Sequence, residues 1–189
     1  MTVSSTRRLP DGLAYREDFV APDEQRRLVE LFEDLDWQPV VMRGQTAKRT
    51  VRHYGLDYDY EGGELVPTDP LPLDMEWLRD RCAELMDRDP ADLVQTLVSR
   101  YPPGAGIGWH RDAPMFGSKI AGVSLRATCR MRFRRTVEDQ REIEAIDLDP
   151  RSAYLLSGAA RWSWQHAIPA TNDLRYSVTF RTLRRNRAS

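Results

Sequence analysis

The sequence predicts an α+β fold in which helices come first and pack on one side of a double-sheet β-barrel of jelly-roll type. Three features carry this expectation. Apolar residues recur at helical spacing in two segments before Met86. From Leu93 onward the pattern shortens to period two, in several short runs. Between the helical segments, residues 42–72 are rich in Gly, Tyr, Asp and Pro, the composition of a surface flap.

Ala14 to Val20 reads as a first strand. Pro22, with Asp23 and Glu24 behind it, opens the first helix: proline suits the first helical position and acidic groups suit the positive end of the helix dipole. Leu28, Leu31, Phe32 and Leu35 then recur at helical spacing and face a core. A second helix runs from Asp74 to Met86, with Leu78, Cys82 and Leu85 on one face. Leu93 to Tyr101 is the first barrel strand. Leu125 to Arg134 alternates, with Leu125, Ala127, Cys129, Met131 and Phe133 on one face and Arg126, Thr128, Arg130, Arg132 and Arg134 on the other. Ile146 to Leu148, Ser152 to Leu156 and Arg175 to Leu183 complete the set. Residues 1–189 read as a single domain, with its jelly-roll core over 93–184 and no internal repeat.

Composition narrows the function classes. Hydrophobic residues make up 41% and the net charge is -1, so the chain as a whole exerts no general attraction on a polyanion. Charge is local: arginines cluster at Arg126 to Arg135 and at Arg181 to Arg187, offset by the acidic run Glu138 to Glu144. No apolar run approaches the ~20 residues of a membrane helix, so no membrane partner is expected. No apolar segment follows Arg7 and Arg8, so no secretory signal is expected. Cys82 and Cys129 are isolated, without zinc or redox spacing, and a reducing cytoplasm is the expected location.

The chemistry centres on Trp109-His110-Arg111-Asp112 and on the distant His166. In an extended strand, positions i and i+2 point to the same side. His110 and Asp112 can therefore reach one ion, and His166, near the start of a later strand, can supply a third ligand. Two histidines and one carboxylate suit non-haem Fe(II) and leave coordination positions for a bidentate 2-oxo acid and O2. Other readings of these residues fail. The protein-kinase catalytic loop would need an Asn where Gly117 stands, and Gly104 to Gly108 lacks the Lys-Ser/Thr of a phosphate loop. Those glycines read as the turn that delivers the ligand strand.

Downstream, Arg175-Tyr176-Ser177-Val178-Thr179-Phe180-Arg181 places Arg175, Ser177, Thr179 and Arg181 on one strand face. The arginine backbones stand ~20 Å apart at ~3.3 Å per residue. With both long side chains leaning inward, the gap shrinks to about the length of a five-carbon dicarboxylate, which guanidinium forks bind well.

The flap mixes Arg49, Arg52 and His53 with Tyr54, Tyr58 and Tyr60. Aromatics stack on bases and arginines hold phosphates, so Arg49, Arg52, Tyr54, Tyr58 and Tyr60 are the candidate substrate contacts, with Arg161 beside them. A Tyr-rich hairpin packed on the barrel is the competing reading. His53 reads as a flap or core histidine, and Trp162 and Trp164 as barrel wall.

Taken together, these residues resemble the AlkB group of Fe(II)/2-oxoglutarate dioxygenases. The resemblance spans Ser99 to Leu183. It rests on Ser99-Arg100-Tyr101-Pro102-Pro103-Gly104-Ala105, His110-Arg111-Asp112, Ser157-Gly158, His166 and the Arg175 to Arg181 run. It implies a double-stranded β-helix, with His110, Asp112 and His166 as iron ligands. It also implies Tyr101 and Arg175 at the distal carboxylate of 2-oxoglutarate, Arg181 near the carboxylate beside the keto group, and Ser99, Ser177 and Thr179 lining the same pocket. Two positions depart from the pattern. Ser99 stands where the family often has Asn, and Pro114 where DNA-repair members carry a base-recognising Asp.

The expected function is an Fe(II)/2-oxoglutarate-dependent dioxygenase that consumes O2 and demethylates or hydroxylates modified nucleic-acid bases, as in DNA repair. The same chemistry on protein side chains or small metabolites is the rival, favoured by the acidic pI of about 6.3 and by Pro114. A non-enzymatic, metal-binding jelly roll is a third reading. The sequence sets no oligomeric state.

Overall fold

The computed structural model describes residues 9–42, 44–58 and 65–184, apart from the side chains of Met42 and Tyr58. Strand β1 (Leu13–Arg16) leads into helix α1 (Pro22–Glu33). A hairpin of β2 (Gln38–Met42) and β3 (Gln45–Tyr54) follows, then a short pair, β4 (Leu56–Tyr58) and β5 (Leu65–Pro67). Helix α2 (Leu73–Met86) precedes β6 (Gln95–Tyr101), β7 (Ile107–His110), β8 (Phe116–Leu125), β9 (Cys129–Val137) and β10 (Gln140–Leu148). The chain closes with β11 (Ala153–Leu156), helix α3 (Gly158–Trp162), β12 (Gln165–Ile168) and β13 (Arg175–Leu183).

Apart from the β4–β5 pair, which is a small sheet of its own, the strands form two antiparallel sheets. A seven-stranded sheet runs β1-β11-β8-β13-β6-β3-β2, and a four-stranded sheet runs β10-β9-β12-β7. They face one another as a jelly roll. Strand β13 lies in the middle of the larger sheet and shows why the chain needs both layers. Its Tyr176, Val178 and Phe180 pack into the core under α1 and α2 with Leu28, Phe32, Met75, Leu78 and Met86. Full burial of each such side chain stabilises the fold by about 1.5–3 kcal/mol. Tyr176 meets Phe32 edge-on at 5.4 Å and stacks on Trp37 at 5.9 Å. The alternate residues Arg175, Ser177, Thr179 and Arg181 turn into the barrel, and all four are buried. The helices thus anchor the strand by its apolar face and leave its polar face for a site.

Glu24 ties the helical layer together. Its carboxylate accepts the Ala21 N–H at 2.8 Å, closing the start of α1. It also receives both Nη groups of Arg81 from α2, each at 2.8 Å.

The structure corrects four expectations. The first strand ends at Arg16, because Asp18 takes a left-handed conformation with φ 48°. Leu125 to Arg134 is not one strand. Arg126, at φ 77°, breaks it, so Leu125 lies in the helix-side core while Cys129, Met131 and Phe133 lie in the barrel core. Strand β8 was not legible, since burial on both faces removes the alternation. Finally, residues 42–72 are only partly a flap: β3 pairs with β6 from Thr50 to Tyr54 and extends the large sheet.

Candidate active site

Strands β7 and β12 are neighbours, and their register sets His110 opposite His166. Gly106 permits this approach, since a Cβ there would stand 2.5 Å from the carbonyl oxygen of Ile168. The two imidazole rings lie 4.3 Å apart between centroids. Asp112, just beyond β7, is buried and brings Oδ2 to 3.6 Å from His166 Nε2. His110 Nδ1 donates to the Gly108 carbonyl at 2.8 Å. That bond fixes the tautomer and leaves the Nε2 lone pair free, as metal-binding histidines require. His166 Nδ1 is buried without a partner.

Charge states agree with this donor set. Burial lowers the pKa of both histidines, that of His166 to about 4, so both rings are neutral near pH 7. Burial alone would raise the Asp112 pKa, but the Arg181 guanidinium beside it overcomes this and holds the carboxyl well below its usual range. Two neutral imidazoles and an ionised carboxylate fit Fe(II). Among the described residues, no three side chains already stand at metal-coordinating geometry. The carboxylate is shared instead: Asp112 Oδ1 accepts Arg181 Nη2 at 2.5 Å while Oδ2 faces His166.

Across the barrel lies a cationic cradle. Arg175 is fully buried; its Nε donates to Ser124 Oγ at 3.0 Å, and both Nη groups have no partner. Its guanidinium carbon lies 5.0 Å from the Tyr101 ring, its cross-strand neighbour on β6. Ser177 stands opposite Ser99 in the same register. Arg181 donates to Gln95 Oε1 at 2.8 Å as well as to Asp112. Arg49 completes the group, with Nη1 at 3.4 Å from Ser99 Oγ, its guanidinium 5.9 Å from the Tyr101 ring and Nε unpartnered. Buried charge without a partner costs several kcal/mol. Asp112 offsets part of this positive field, and a dicarboxylate would offset more.

Some pocket residues were missed from sequence. Tyr154 lies across Gly122, where a Cβ would stand 2.2 Å from the ring, and burial, then the Asp112 carboxylate, raises its pKa against the opposing charge of Arg175. Its alternation with Ser152 and Leu156 was the available signal. Ser124, on the strand that did not alternate, gave none.

The candidate substrate contacts fare differently. Arg49 is buried in the pocket rather than exposed on a flap. Arg52 is held by Asp69, lies 4.0 Å from Asp36 and packs over Tyr54, itself buried. Arg161 is a structural residue: it is 2% exposed and donates to the carbonyls of Asp112, Ala113, Phe116 and Gly117. Tyr58 ends β4, and Tyr60 lies outside the described residues. His53 pairs with Asp57 at 3.0 Å, apart from the ligand strands. Trp164 is core, but Trp162 is 39% exposed.

Residues 12–186 match the model of the 2OG-Fe(II) oxygenase superfamily. The chain is 32% identical over 171 residues to the tRNA (carboxymethyluridine(34)-5-O)-methyltransferase alkbh8 of Xenopus tropicalis, covering 85% of this chain and 25% of that protein. It is 31% identical over 182 residues to the Alkylated DNA repair protein ALKBH8 homolog of Arabidopsis thaliana, covering 84% of this chain and 51% of that protein. The chain therefore spans a quarter to a half of these relatives. The solved structure of OsALKBH1 shares the fold, with TM-score 0.67 at 16% identity, over 93% of this chain and 98% of that one.

Proposed function

The chain belongs to the 2OG-Fe(II) oxygenase superfamily, in its AlkB group, and from that premise we propose that it oxidises modified bases of nucleic acid by hydroxylation or oxidative demethylation. His110, Asp112 and His166 would hold the iron. The observation that carries the reading is the pairing of that donor set with Arg175, whose Nη groups point unpartnered into the same barrel.

Bound Fe(II), 2-oxoglutarate and O2 supply the oxidation, in which 2-oxoglutarate leaves as succinate and CO2 and a substrate C–H becomes C–OH. The protein's residues bind, orient and shield. Arg175, with Tyr101, takes the distal carboxylate by charge-assisted hydrogen bonds. Arg181 serves the carboxylate beside the keto group while it keeps Asp112 ionised and oriented. Arg49 adds a third guanidinium on the Ser99 side, and Ser177 and Thr179 line the wall between. Burial of the arginines strengthens each of these contacts.

The nucleic-acid assignment draws on the names of the two relatives, which concern tRNA and alkylated DNA. Methyl transfer is not carried over, because the matched residues are those of an oxygenase. Pro114 is exposed two residues after the buried Asp112 and can offer no side-chain hydrogen bond to a base. Base selectivity here must come from other groups. If the oxidised carbon is an N-methyl, its hydroxymethyl product releases formaldehyde and leaves the free amine.

The test is succinate and formaldehyde release with methylated DNA and RNA oligonucleotides, beside methylated peptides and free metabolites. Release coupled to an oligonucleotide supports the reading. Release coupled only to a peptide or metabolite overturns it.

A further inference from the structure

The outer face of the four-stranded sheet carries cationic charge that the site inside the barrel does not use. On β9, Met131 and Phe133 point into the core, so Arg132 and Arg134 point outward. Register places Ile143 of β10 beside Arg134 and Arg141 beside Thr136, so Arg141 and the exposed Ile143 share that outward face. Trp109 precedes the inward His110 and lies under two guanidiniums, those of Arg134 at 4.6 Å and Arg132 at 5.4 Å. Arg111 follows His110 and is exposed.

Two acidic residues of this hairpin are engaged, while Glu138, Asp139 and Glu144 also lie along it. Glu142 pairs with Arg135 at 2.5 Å and Asp147 with Arg130 at 3.0 Å. Among the described residues, Arg111, Arg132, Arg134 and Arg141 have no carboxylate partner. Arg111, Arg134 and Arg141 border a surface depression of about 440 Å³. In a chain of net charge -1, this concentration of positive charge is a local feature of one face.

We propose that this face is the track along which a single-stranded nucleic acid runs while its modified base enters the barrel. Guanidinium forks match phosphate oxygens, and outward arginines two residues apart on a strand stand about 6.6 Å from one another. Trp109 and Ile143 supply an apolar floor between the charges, as surfaces that bind single strands do by combining backbone cations with aromatic platforms. Trp109 and Arg111 flank His110 in sequence, so a strand held here passes beside the ligand-bearing strand. The flap arginines cannot take this role: Arg49 is buried and Arg52 is tied to Asp69. The inference rests on the nucleic-acid reading above.

The experiment uses the full chain. Binding of an oligothymidylate of about 15 nucleotides is measured against salt, for the wild type and for Arg111→Glu, Arg141→Glu and the triple variant Arg132→Ala, Arg134→Ala, Arg141→Ala. Turnover on a methylated single strand of the same length is compared with turnover on a methylated trinucleotide. The expected result is binding weakened about tenfold or more in the triple variant, with its salt slope reduced by about 0.7 for each phosphate that is no longer neutralised. The ratio of long-strand to trinucleotide efficiency should fall as well. The two Glu variants lie at exposed positions and should show the same direction if the triple variant fails to fold. Unchanged binding and slope, with both substrates still oxidised, would overturn the track and leave the proposed activity standing. Absence of turnover on every nucleic acid by the wild type would overturn both. Binding of acidic polypeptide but not oligonucleotide would assign the face to a protein partner and overturn the track.

Discussion

Arg181 of β13 donates to Asp112 at 2.5 Å across the barrel, joining the larger sheet to the loop after β7. One guanidinium thereby orients a proposed iron ligand and faces the proposed cosubstrate. Removing one member of a buried pair costs about 3–5 kcal/mol, because the other charge is left uncompensated. Arg181→Gln should therefore weaken Fe(II) binding and 2-oxoglutarate binding together. Titrating each ligand separately checks this. A loss confined to 2-oxoglutarate would show that Asp112 is oriented without Arg181.

Arg175 should behave differently. Among the described residues its Nη groups have no hydrogen-bond partner, so what Arg175→Gln takes from the fold is chiefly the Nε bond to Ser124 and the contact with the Tyr101 ring. A charge-assisted hydrogen bond is worth about 1.5–3 kcal/mol, so the 2-oxoglutarate requirement should rise about ten- to a hundredfold. Fe(II) affinity should stay near that of the wild type. A 2-oxoglutarate titration monitored by succinate release reads the first effect, and metal binding reads the second.

Arg161 tests a correction. As a substrate contact, its loss would affect substrate KM alone. Because it donates to four carbonyls from a buried position, Arg161→Ala should instead destabilise the chain by several kcal/mol. At about 2–4 °C per kcal/mol for a chain of this size, Tm should fall by about 10 °C. A normal melting curve with raised substrate KM would restore the substrate role.

The helical layer carries an acid-sensitive contact. Arg81 holds the Glu24 pKa down to about 2 from 4.5, with the Ala21 N–H assisting against desolvation. A depressed folded-state pKa means that the stabilisation is fully present above about pH 5 and is lost as pH falls through about 2. Partial exposure of Arg81 screens the pair, so its share is about 1 kcal/mol. Denaturant unfolding between pH 7 and pH 3 should show a shallower acid-side decline in Glu24→Gln than in the wild type.

The residues proposed for metal and cosubstrate could be grouped from sequence in part because strand periodicity is local. Arg175 to Arg181 alternate along β13, so their side-chain direction followed from backbone geometry, whereas Asp112 lies past the end of β7, where strand alternation no longer sets direction. The meeting of His110 and Asp112 with His166 followed from chemistry, and the β7–β12 register supplies the contact. The flap was misread for the opposite reason. Arg49 looked exposed because its neighbours are polar, yet pairing of β3 with β6 carries it into the pocket. Arg161 looked like a free cation because the carbonyls that engage it lie more than forty residues away in sequence. No local pattern encodes either arrangement.

On the function proposed above, this barrel couples 2-oxoglutarate breakdown to oxidation of a nucleic-acid base through His110, Asp112 and His166. The most direct measurement is succinate formed per oxidised base on a methylated oligonucleotide, for the wild type and for Asp112→Ala. The wild type should form one succinate per oxidised base and the variant none above background, with the variant still folded by circular dichroism. Full turnover in Asp112→Ala, or succinate release indifferent to every oligonucleotide, would contradict that function.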